Sequence, residues 1–95
     1  MSGQSIDDAL NRLKHFTVRN RKWGDGMIHS YVVIKESEYF RLKNLDGNEK
    51  NSYVAEFFVN STMTKDEALV LAVKIAMNLD IAETARQESL LSVVI

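Results

Sequence analysis

The sequence predicts an α+β domain: an N-terminal helix, a three- to four-stranded antiparallel sheet, then one or two C-terminal helices packed on one sheet face. Three observations carry this. Apolar residues recur at helical spacing at both ends of the chain, as Ile6, Ala9, Leu10, Leu13 and Phe16 and again from Ala68 to Leu79. Between them, β-branched and aromatic residues gather in short runs such as Tyr31-Val32-Val33-Ile34. Turn-forming residues, Gly24-Asp25-Gly26 and Asp46-Gly47, punctuate those runs. With 95 residues the chain is one domain, 1–95, with a polar leading tail over 1–4 and an apolar tail over 90–95. Helices segregated to one face of an antiparallel sheet are the simplest packing for this order.

The first helix is expected over Ser5–Phe16. Ser5 is a good N-cap. Asp7 and Asp8 fall in the first turn and Arg12, Lys14 and His15 in the last, the polarity a helix dipole favours. Thr17–Trp23 alternates and tolerates an extended backbone. Gly24-Asp25-Gly26 then turns the chain into Met27–Lys35, so the two segments read as a hairpin. Simple alternation puts Ile28, Ser30, Val32 and Ile34 on one side and His29, Tyr31 and Val33 on the other. Over Glu36–Leu45 a strand places Phe40 and Leu42 inward, with Arg41 and Lys43 outward. A short helix would instead align Tyr39, Leu42 and Leu45. The strand is the preferred reading. After a polar loop to Asn51, Ser52–Val59 forms a strand interrupted only by Glu56, which places it at the sheet centre, covered on much of both faces.

Thr64–Leu79 is the most distinctive segment. Thr64 and Glu67 form a capping box, with Met63 as a hydrophobic staple. Only Glu67, Lys74 and Asn78 line up as a polar stripe, bordered by Val70 and Leu71. The apolar arc is roughly 260° wide, against ~100° for an ordinary surface helix. Such a helix needs cover on more than one side, from its own chain or from a partner. Asp80 either caps a second short helix through Gln87 or lies where the first helix runs on.

Composition narrows the function classes. Hydrophobic and charged contents of 45% and 26% are those of an ordinary globular chain, which argues against disorder. A net charge of −1 gives no global attraction to nucleic acid or to an anionic membrane. The lack of cysteine removes disulfides, thiolate catalysis and most structural zinc sites. No apolar stretch approaches the ~20 residues of a membrane span, and the start lacks a basic-then-apolar leader. The expectation is a cytoplasmic protein with no membrane partner.

The stretch Arg12, Lys14, His15, Phe16, Arg19, Arg21, Lys22 and Trp23 has no acid between Asp8 and Asp25. As a strand it sets Thr17, Arg19, Arg21 and Trp23 on one face. Two guanidiniums beside an indole hold phosphates and stack a base, and the same trio suits a protein hot spot. Arg19, Arg21, Lys22 and Trp23 are therefore the candidate partner- or nucleic-acid-binding residues. The plainer alternative is a solvated outer face with arginine stems resting on Trp23. His15 and His29 are the only histidines, and no metal-ligand spacing is present. No nucleophile motif stands out, so no catalytic set, metal or cofactor is expected. Glu56, mid-strand among apolar residues, is either a perturbed carboxylate in a pocket or one half of a cross-strand pair with Arg41 or Lys43. The pair is preferred.

The element order, with Thr64-Lys65-Asp66-Glu67-Ala68 followed by Ala72, Lys74, Ile75 and Ala76, resembles the closing helix of double-stranded RNA-binding domains. The resemblance covers about a sixth of the chain and implies a similar layout. It argues against that family's RNA contact, because only Lys65 is basic where the family carries a basic cluster, and Asp66 and Leu69 occupy positions usually basic there.

The function expected is a small stand-alone, non-enzymatic protein-binding module. The class is that of phage or mobile-element accessory proteins that bind and inhibit a host factor, with a protein partner or self-association. The alternative is a nucleic-acid-binding module using the basic-aromatic segment 12–23.

Overall fold

The computed structural model describes residues 2–42 and 52–94. The elements run α1 (Ser2–Arg12), β1 (Phe16–Lys22), β2 (Ile28–Lys35), α2 (Glu36–Leu42), β3 (Tyr53–Phe58) and α3 (Lys65–Val94). The strands form one antiparallel sheet in the order β1-β2-β3. α3 lies across the sheet, and α1 packs against α3. This is the α+β class expected, and the helix, three strands, helix layout implied above, with α2 inserted between β2 and β3.

The core follows from one ladder on α3. Ala68, Ala72, Ala76 and Asp80 stand four residues apart, so they stack along one line of the helix, and all four are buried. The three alanines let the helix backbone approach the sheet closely, onto Phe16, Tyr31 and Val33. Leu69, Ile75, Leu79, Ala55 and Phe57 close the margins. The fourth rung reaches further. The Asp80 carboxylate accepts the backbone N–H of Lys14 at 3.1 Å and of His15 at 2.6 Å.

That contact explains the first correction. α1 begins at Ser2 and ends at Arg12, so residues 2–4 are helical, Ser5 lies inside the helix, and Lys14 and His15 lie beyond it. The amides of Lys14 and His15 turn to Asp80 instead of to helix carbonyls. Phe16, expected on the helix, starts β1 and is 6% exposed in the core.

β1 and β2 pair from Phe16↔Lys35 to Arg21↔Ser30, then shift to Lys22↔Ile28. The irregularity adds a residue on β2, and Ile28 packs with Tyr31 and Val33 against α3, not on the Ser30 side as plain alternation implied. The turn is closed by Gly26 N–H to Trp23 O and Trp23 N–H to Met27 O, both 2.9 Å. Gly26 has φ of 84°, a left-handed value that a side chain would oppose.

β2 is the central strand, and Ser30 through Ile34 are all buried. β3 was expected at the centre. It is an edge, with Val54 and Phe58 well exposed, because β2 already pairs with β1 on its other side. Glu36–Leu42 is helical and not a strand. Its residues include no β-branched side chain, Glu36 and Glu38 sit at the favourable N-terminal end, and the Glu36 N–H bonds His15 O at 2.9 Å directly after β2. Residues 43–45, the loop to Asn51 and any fourth strand there lie outside the described residues.

α3 begins as expected. The Thr64 hydroxyl donates to Glu67 Oε1 at 3.1 Å and accepts the Glu67 N–H at 3.2 Å, while Met63 packs on the core margin. Asn60 Oδ1 collects the N–H groups of Thr62 and Met63 and so sets the approach. The helix then continues without a break, so Asp80 starts no second helix and Leu90–Val94 extend α3 and do not form a separate tail. At 1.5 Å per residue it is about 45 Å long. Among the described residues no helix is long and apolar enough to cross a membrane.

Candidate functional site

The four sequence-derived residues lie on β1 and at its end, and the structure divides them. Arg21 Nη1 is 2.8 Å from Glu56 Oε2, and the same oxygen accepts the Ser30 hydroxyl at 2.5 Å. These three residues tie together β1, β2 and β3. The cross-strand register explains the choice, since Arg21 stands opposite Ser30 and Ser30's neighbour Val32 stands opposite Glu56. Glu56 is therefore paired, as preferred, and among the described residues its cationic partner is Arg21. The Arg41 side chain and Lys43 lie outside the described residues. The Arg21 guanidinium also lies 5.6 Å from the Tyr53 ring centroid.

Arg19 is exposed, and its guanidinium carbon lies 4.3 Å above the Tyr39 ring. This contact exists because α2 is a helix that packs beside β1 and β2. A cation–π contact at such a site contributes about 0.5–1 kcal/mol and orients the group without neutralising it.

Lys22 and Trp23 are open. Trp23 sits past the end of β1 and is 61% exposed. Its ring centroid is 4.3 Å from that of His29, and His29 is 5.7 Å from Phe58 in an edge-on arrangement. The three rings form a row across the turn end of the sheet. Met27, joined to Trp23 through the turn, and Phe58 add exposed apolar surface. The arginine-stem packing on Trp23 anticipated from the sequence is replaced by His29. Within this row His29 Nδ1 is buried and meets no hydrogen-bonding partner among the described residues.

Met27, His29 and Phe58 were not legible as site residues. Phe58 joins through β3 pairing, and His29 through the irregular register near Lys22, so neither has a local signature. Among the described residues no group of three His, Asp or Glu side chains is placed to hold a metal. Comparison with known proteins yields no match, whether to a family model, a curated protein or a solved structure.

Proposed function

We propose that the protein is a small, cytoplasmic, non-enzymatic protein-binding module that meets its partner through the turn end of the sheet. The contact surface comprises Lys22, Trp23, Met27, His29 and Phe58. The single observation carrying this reading is the exposed ring row. A tryptophan held against a histidine and left 61% exposed presents a rigid apolar face with a cation beside it. Such a face loses little entropy on binding and is the composition of an interface hot spot. A module of this size acts by occupying a partner's surface, as inhibitor or adaptor, and the accessory proteins of phages and mobile elements are the class it fits.

Nucleic acid is the second reading, and the Arg21–Glu56 pair weighs against it. Phosphate recognition needs uncompensated cations, and Glu56 brings a carboxylate among them. The test compares variants in capture from host lysate. Trp23→Ala or Phe58→Ala should release the captured protein, with at least about a 30-fold loss of affinity for Trp23→Ala. Arg19→Ala should leave it bound. Salt-sensitive retention of a duplex or single-stranded oligonucleotide, with a log–log slope of roughly −2 to −3, would move the conclusion to nucleic acid.

A further inference from the structure

β1 is an edge strand, and its outer side meets no other strand among the described residues. One bond fixes which of its backbone groups face outward. The Glu36 N–H donates to His15 O at 2.9 Å, so residue 15 turns its backbone toward β2. Every second residue after it, Thr17, Arg19 and Arg21, does the same, and Val18 and Asn20 turn their N–H and C=O groups to the open side. Side chains alternate with the same period. Val18 lies opposite Val33, toward α3, whereas Arg19 points to the other face and lies over Tyr39 of α2.

A hollow of about 420 Å³ wraps this edge. Val18 and Asn20 form its floor. Leu10 of α1, Leu69 of α3 and Tyr31 make the wall on the α3 side, and Arg19 and Tyr39 make the wall on the α2 side. Ladder groups unpaired among the described residues thus lie between an apolar wall and a cationic wall. We propose that this edge takes an extended acidic peptide, in which apolar residues alternate with Asp or Glu, as a further strand. Lying about 4.8 Å from β1, its backbone bonds the N–H and C=O groups of Val18 and Asn20. Its side chains continue the two faces of the sheet. The apolar ones fall on Leu10, Tyr31 and Leu69, and the carboxylates fall on the side of Arg19. Charge selects this occupant. None of the residues lining the hollow is acidic, and β1 itself carries Arg19, Arg21 and Lys22 with no acid among its residues. The Tyr39 ring orients Arg19 and leaves its charge in place, ready to donate paired hydrogen bonds to a carboxylate. A second copy of β1 would instead crowd its own Arg19 and Arg21 onto the same face as these, and like charges across a strand pair oppose pairing. The surface runs along β1, apart from the ring row at the turn end, and rests on its own observations.

The probe is a capped, fluorescein-labelled octapeptide of alternating valine and glutamate, titrated to about 1 mM, the weak end of specific binding, and read by anisotropy. It should bind, and the same peptide with lysine for glutamate should bind at least about tenfold more weakly. Arg19→Glu should reverse that preference, with circular dichroism verifying the fold, as expected for an exposed position. N-methylation of alternate peptide amides separates an added strand from a looser contact, because only every second amide of a strand faces β1. Methylating one set should abolish binding, and methylating the other should leave it. At saturation, hydrogen exchange at the Val18 and Asn20 amides should slow. Trp23→Ala should bind the peptide as the unaltered protein does, so failure of the ring-row reading leaves this result standing. Absence of binding across the titration would overturn the proposal. So would a charge preference that Arg19→Glu does not reverse, equal effects of the two methylated sets, or loss of binding in Trp23→Ala. A dimer of the free chain that the peptide dissociates, seen by sedimentation, would overturn it too and assign the edge to a second copy.

Discussion

Asp80 connects parts of the chain that are far apart in sequence, and replacing it tests how much that connection contributes. Its carboxylate is buried at 9% exposure and takes two backbone N–H groups, from Lys14 and His15. A hydrogen bond to a charged acceptor contributes a net ~1.5–3 kcal/mol, and a buried donor left unmade costs a similar amount. Lys14 is exposed and its amide can turn to water, whereas His15 is half-buried. One bond therefore counts nearly in full and the other in part, so Asp80→Ala should cost about 2–3 kcal/mol. For 95 residues the whole stability is on the order of 5–14 kcal/mol. With a urea slope near ~1 kcal/mol/M, the unfolding midpoint should fall by about 2–3 M at unchanged slope. Asp80→Asn keeps an oxygen acceptor and loses only the charge, so it should cost about 1 kcal/mol. Urea unfolding followed by circular dichroism reads both. If Asp80→Ala costs under about 0.5 kcal/mol, or if Asn is as damaging as Ala, the two accepted bonds are not what holds the α1–β1 turn.

Two further outcomes follow from the sheet. Arg21→Ala strands the Glu56 carboxylate and should cost about 2 kcal/mol, discounted because both side chains are partly wet. Ser30→Ala leaves the ion pair standing and should cost about 1 kcal/mol, so the reverse order in urea would refute the assignment of Arg21 as the essential partner. Tyr31 is held above the ordinary phenol value of 10.0, first by burial and then by the negative charge of Asp66. Its contribution to stability is complete below pH 10 and is lost as pH rises through the higher folded value. Ultraviolet titration should place the Tyr31 midpoint above 10, and Asp66→Asn should bring it down part of the way.

What was legible in the sequence is what is decided within a turn or two of chain. The Thr64–Glu67 box spans one turn, so its residues announce it. The Tyr31–Ile34 run can only be a buried strand. The wide apolar arc of Thr64–Leu79 did foretell the buried ladder of Ala68, Ala72 and Ala76. The misreadings share a different cause. The end of α1 is set by Asp80, more than sixty residues away in sequence. The partner of Glu56 and the position of Ile28 depend on register, which alternation alone does not give. Glu36–Leu42 carries residues compatible with either period, and the bond from its first amide to His15 decides for helix. At the candidate site, Trp23 and Lys22 stood out by type, while Phe58 and His29 belong to it only because strands pair.

The placement of α2 between the second and third strands bears on how the protein assembles itself. The β1–β2 hairpin closes through residues 23–27, but β3 joins only after residues 36–52 have been looped out. The second closure is roughly three times longer and costs about 1 kcal/mol more in chain entropy. The hairpin should therefore form early and β3 dock later. During synthesis, Tyr31 and Val33 emerge well before Ala68, Ala72 and Ala76 exist to cover them. The nascent chain thus presents an apolar sheet face without its covering helix until α3 leaves the ribosome, and that interval is when a chaperone, or a second nascent copy, would meet it.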